Sequence, residues 1–135
     1  MLELAGLNWL AIVVVTALSF ALGGLWYGPL FAQSWMTALG KKREDLAGNN
    51  AVPYVLSAVT ALLTSIVLAI LVKSTGISDI GGGLVLGVLV GIGVIAASMA
   101  SDYAFSGWST TLYLITAGYR VVYTVLMSLI LAIWR

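Results

Sequence analysis

The chain has 135 residues, of which 61 % are hydrophobic and 8 % charged, where a soluble domain carries roughly 45–50 % apolar and about 25 % charged residues. Six basic against five acidic residues leave a net charge of +1, which excludes a binder of nucleic-acid backbones. With no Cys and no His, disulfides, thiolate chemistry and the commonest general base and metal ligand are excluded, and no cofactor is implied.

Charges divide the chain. None lies between Glu3 and Lys41, between Asp45 and Lys73, or between Asp79 and Asp102, and beyond Asp102 only Arg120 and Arg135 occur. A bilayer core about 30 Å thick needs roughly 20 apolar residues per helix. The spacing predicts an all-α, four-helix transmembrane bundle in one domain, residues 1–135, with spans at about 7–27, 52–73, 81–101 and 110–134. The alternating segments of a membrane barrel are absent. The first span lacks the basic n-region of a signal peptide and is expected to be retained.

After the first span, Tyr27-Gly28-Pro29 is expected to stop the helix, because Pro29 has no N–H and disfavours helical geometry at Gly28. Residues 29–39 then read as a short helix ending at Gly40, with Phe31, Trp35 and Leu39 on one stripe, lying in the headgroup region. Lys41-Lys42-Arg43-Glu44-Asp45 reads as a solvated loop and Gly48-Asn49-Asn50 as turn material. Ser74-Thr75-Gly76 ends the second span, and Ser106-Gly107 precedes the fourth, where Ser109 or Thr110 can act as N-cap. Counting Lys and Arg near the span ends puts loop 41–51 in the cytoplasm and both termini outside.

Within lipid, helices associate through small residues four apart. Ser57, Ala61, Ser65 and Ala69 form such a face on the second span, Gly83, Gly87 and Gly91 on the third, and Ser19 and Gly23 on the first. Four helices must bury something against one another before a dimer seam is considered. An ideal helix extends the glycine face to Ser98 and Asp102, and on the fourth span Thr116, Arg120, Tyr123, Thr124 and Met127 share one side. Together they suggest a polar seam containing an Asp102–Arg120 ion pair, whose loss in a double-mutant cycle is expected to be non-additive. The alternatives are a vestibule in which Arg120 attracts an anion or a lipid phosphate, and Arg120 snorkelling alone. The aromatic residues Trp26, Tyr27, Phe31, Trp35, Tyr103, Phe105 and Trp108 gather where spans end, as an interfacial belt does, with a ligand-stacking cage as the sharper alternative.

Asn8-Trp9, the stretch Gly24-Leu25-Trp26-Tyr27-Gly28-Pro29-Leu30-Phe31 with Trp35, Ser101-Asp102-Tyr103, Ala117-Gly118-Tyr119 and the terminal Ile133-Trp134-Arg135 resemble one group across the whole chain. It is that of the small bacterial membrane proteins called domain-of-unknown-function family 1761. The resemblance implies the four-helix architecture and a bacterial inner membrane, and carries no activity. Many relatives are expected to have His where this chain has Arg120, and a permanent cation there argues against a proton relay. Multidrug exporters of similar size need an acid in the first helix, and residues 4–40 contain none.

No paired carboxylates and no nucleophile with a base occur within the spans, so the chain is not expected to be an enzyme. Two functions remain: a small oligomeric transporter or channel-like protein using the polar seam, or an accessory or scaffold subunit of a larger membrane complex. The expected partners are membrane lipids and either further copies of the chain or a larger complex.

Overall fold

A computed structural model describes residues 2–40 and 51–134. The basic loop at 41–45, the turn at 48–50 and the terminal Arg135 lie outside the described residues. The chain is helical: α1 (Trp9–Leu25) runs into a π turn (Trp26–Leu30), followed by α2 (Ala32–Leu39) and α3 (Val52–Thr75). Then α4 (Ile80–Val90) passes through a second π turn (Gly91–Ala96) into α5 (Ala97–Phe105), and α6 (Thr110–Ile133) closes the fold. Four helical stretches among the described residues, Trp9–Leu30, Val52–Thr75, Ile80–Phe105 and Thr110–Ile133, are long and apolar enough to cross a membrane.

Local chemistry sets most of the helix ends. The Asn8 side chain accepts from the Ala11 N–H, Asp79 from Gly82 and Ser109 from Leu112, each taking up one of the free donors of a first turn. Gly40 and Gly76 end α2 and α3 in the left-handed region, with φ of 70° and 71°. One boundary departs from the sequence expectation. Pro29 does not begin a new helix but sits inside the π turn, and the break comes at Phe31, whose φ is −129° and whose N–H donates to Trp26 O at 2.9 Å. The wider turn bonds each residue five positions back, which lets the chain absorb the N–H that proline lacks.

The organising element is α6. Together with α1 and α3 it encloses a core that includes Ile12, Val15, Leu68, Met127 and Leu131, all nearly inaccessible. Hydroxyl contacts run between these helices: Thr16 Oγ1 lies 3.1 Å from Ser65 Oγ, and the Tyr119 hydroxyl donates to Ser19 O at 2.7 Å. In hydrocarbon such a bond removes a polar group that has no water to turn to.

The third span joins on the opposite side of α6 and buries almost nothing but glycine. A methyl added at Gly87 would lie 2.7 Å from the Val125 Cα, one at Gly83 2.9 Å from the Ala132 Cβ, and one at Gly91 3.3 Å from the Val121 Cα. The two backbones therefore touch directly. Ser128 Oγ donates to Gly83 O across this contact at 2.7 Å. On α4, Val85 and Leu89 are exposed, as a lipid-facing surface requires, while Leu86 and Val90 are half-buried against the core.

Candidate functional site

Residues singled out by sequence divide into those that the fold brings together and those that it separates. On α3, Ala61, Ser65 and Ala69 are buried against the bundle, but Ser57 is exposed and its hydroxyl donates to Pro53 O on its own helix. Burial in α3 begins only at Ala61, so the small-residue face contributes to packing along its second half alone.

The polar seam is not assembled. Ser98 is exposed and its hydroxyl turns back to Ile95 O at 2.9 Å, while Asp102 is exposed on α5. Among the described residues no ion pair joins Asp102 to Arg120. Two physical reasons account for this correction. The π turn at Gly91–Ala96 adds a residue to the helix, which rotates everything beyond it by about 100° from the glycine face. Depth is the second: Gly91 stands opposite Val121, so Asp102, eleven residues further on, lies about 16 Å farther along the axis. An arginine side chain does not bridge that separation.

On α6 the predicted face is divided too. Tyr123 and Thr124 are buried, and Thr124 Oγ1 donates to Arg120 O at 2.7 Å. Thr116 is half-buried, with its hydroxyl on Leu112 O at 2.8 Å. Arg120 itself is exposed. These threonines satisfy themselves on the helix backbone and present no open donor to a solute.

What does converge is aromatic. Tyr27 packs on Trp35 with ring centroids 4.7 Å apart and edge-on against Tyr119 at 5.4 Å, and Tyr119 meets Tyr123 at 5.0 Å. Trp26 meets Phe31 at a tilt, with ring centroids 4.8 Å apart, and donates its indole N–H to Ile115 O at 3.0 Å. A methyl at Gly23 would come 3.0 Å from the Tyr119 hydroxyl, and one at Gly118 would come 3.3 Å from the Trp26 ring. The glycines thus make room for the rings. Because the rings fill one another's space, the cluster is a packed wall and not an empty cage. It also reaches deeper than an interfacial belt, down α6 as far as Tyr123. Trp108 stands outside it, half-buried, with its backbone N–H on Tyr103 O. Tyr103 pairs with Tyr113 at 5.0 Å, and Phe105 is 92 % exposed.

Arg120 borders this wall. It follows Tyr119 directly on α6 and precedes Tyr123 by three residues. Both π turns flank the same part of α6, one through Trp26 at Ile115 and the other through Gly91 at Val121. Widened turns of this kind occur often at functional sites. The site is therefore a permanent cation set ten residues into an apolar span, beside tyrosines and between two irregular turns. Such a group can engage an anion or a phosphate.

The sequence profile of a family described as Protein of unknown function (DUF1761) matches residues 10–132. The chain belongs to this family. No curated protein and no solved structure matches it. Two stretches that carried the DUF1761 resemblance, Trp26–Leu30 with its π turn and Ala117-Gly118-Tyr119, are the ones that meet in the aromatic wall. Tyr119 is the site residue that the sequence reading passed over. Its signal was present in the motif and in the i, i+4 spacing to Tyr123, but nothing in the sequence indicated that it would turn toward α1 and not toward lipid.

Proposed function

We propose that this DUF1761 protein is a small membrane protein that handles an anionic solute at Arg120, with the pathway formed between copies of the chain and not inside one bundle. The observation that carries the reading is the exposure of Arg120 about 15 Å into the fourth span, a depth at which an ionised side chain normally faces protein or water. One chain has no lumen to offer, because α6 occupies the middle of its own bundle. A second copy packed over the Arg120 face supplies the missing wall.

The test is uptake of chloride and phosphate into proteoliposomes by the wild type and by Arg120→Ala. Uptake well above empty vesicles that is lost in the variant is expected. Uptake equal to that of empty vesicles in both sinks the reading.

A second reading rests on the first half of α3, where Val52, Val55, Leu56 and Val59 are all exposed. In an accessory subunit that surface packs against a larger membrane protein, and Arg120 fixes the contact. Affinity purification in mild detergent with mass spectrometry separates the two readings. Copies of this chain alone favour the first, and a stoichiometric foreign subunit the second. Orientation follows the basic loop at 41–43, which we assign to the cytoplasm. A reporter fused after Arg135 that is active only in the cytoplasm overturns that assignment.

A further inference from the structure

A cleft lies at the end of the bundle remote from the aromatic wall. It has a volume of about 480 Å³ and opens where α1 begins and where α3 and α6 end. Among the described residues its lining carries one cation, Lys73, and one anion, Glu3, together with the Asn8 amide and the Trp134 ring, over an apolar floor that includes Val72 and Leu131.

The two charges are held but not neutralised. Lys73 Nζ donates to Ala5 O at 2.7 Å and to Gly6 O at 3.1 Å, both uncharged acceptors, which leaves its third proton and its full charge for the cleft. Glu3 is anchored through its backbone, whose N–H donates to Ser74 Oγ at 2.6 Å, so its carboxylate makes no part of that bond. Among the described residues no ion pair joins Glu3 to Lys73. A separated cation and anion above an apolar floor, at the level where three candidate spans end, match a ligand with the same layout reversed.

We propose that this cleft binds the headgroup of a zwitterionic aminophospholipid, with the phosphate at Lys73 and the primary ammonium at Glu3. Asn8, whose side chain caps Ala11 and donates to Trp134 O at 3.2 Å, keeps one amide N–H to offer, and Trp134 adds a ring at the glycerol level. A primary ammonium donates hydrogen bonds to the carboxylate, whereas a quaternary choline ammonium has no N–H to give. An anionic glycerol headgroup meets Lys73 but leaves Glu3 unmatched. The cleft should therefore rank phosphatidylethanolamine above phosphatidylcholine and phosphatidylglycerol.

Native mass spectrometry of the detergent-solubilised protein, titrated with each of the three lipids, tests the ranking. Glu3→Gln is the decisive variant, because it removes the charge while keeping the backbone bond to Ser74. It should lower phosphatidylethanolamine affinity by up to about fivefold, the range of an exposed charge contact, and erase the preference over phosphatidylcholine without shifting the lipid-free melting temperature. Lys73→Gln should weaken all three lipids, and its effect on folding is read separately from its melting curve. Competition by glycerophosphoethanolamine shows that the headgroup alone is recognised. Its failure to compete, with the preference intact, identifies the whole lipid as the ligand. Equal binding of the three lipids by the wild type, or an unchanged preference in Glu3→Gln, overturns the proposal. Arg120→Ala leaves this ranking unaltered, so the outcome is independent of the anion-handling reading.

Discussion

The two halves of α6 are packed by opposite means. From Val121 to Ala132 the helix meets the third span through glycine, with backbone against backbone and a single side-chain bond from Ser128. From Leu112 to Arg120 it meets the first span through large rings, held by hydrogen bonds from Trp26 and Tyr119 to carbonyls. Glycine packing leaves no slack, because the atoms in contact are main chain and cannot rotate away. Ring packing is bulkier and ends at an open edge, and Arg120 stands on that edge. Rigidity and accessibility are thus allotted to different ends of one helix, and the accessible end is where a solute or a second subunit can engage.

The sharpest way to break this contrast is Gly87→Leu. The new side chain meets the Val125 main chain, and the unfolding free energy in detergent should fall by about 3 kcal/mol, the upper end of overpacking. An unchanged melting temperature would show that the third span does not lie on α6 through this face. In the ring-packed half, Tyr119→Phe keeps the aromatic contacts and removes only the bond to Ser19 O, so a loss of about 1 kcal/mol is expected from the same measurement. Ser128→Ala removes the corresponding bond in the glycine half. There the backbone contact remains, and the loss should be smaller, about 0.6 kcal/mol. A larger loss for Ser128→Ala than for Tyr119→Phe would reverse the assignment of which half relies on polar contacts.

The smallest effect concerns the two charges that the sequence had suggested as a pair. Asp102→Ala and Arg120→Ala should combine additively, with a coupling below about 0.5 kcal/mol. A coupling clearly above that value would mean that the two residues meet, either within one chain or across two copies.

Much of the fold was legible because it depends on local chemistry. Charge-free stretches of sufficient length marked the first three spans and an apolar run marked the fourth despite Arg120, Ser109 or Thr110 marked the start of α6, and Gly40 and Gly76 marked helix ends, since each of these signals acts within a few residues. Spacing also picked out Gly83, Gly87 and Gly91 as one face, because nothing irregular intervenes between them. The reading failed where a helix ceases to be ideal. Extending that face to Ser98 and Asp102 assumed an unbroken 3.6-residue period across Gly91–Ala96, and Pro29 was read as a helix start when it lies within a widened turn.

Composition and periodicity by themselves determined that this chain forms four apolar helices, where most of them end, and which small residues could approach a neighbour. They act through backbone geometry and transfer from water, both of which are properties of short segments. Only the tertiary structure decided that α6 is the shared partner, that Tyr119 turns toward α1, and that Asp102 and Arg120 stand about 16 Å apart in depth. Those outcomes depend on the register between helices distant in sequence. That register is set by the summed fit of glycine, rings and two π turns, and no single segment encodes it.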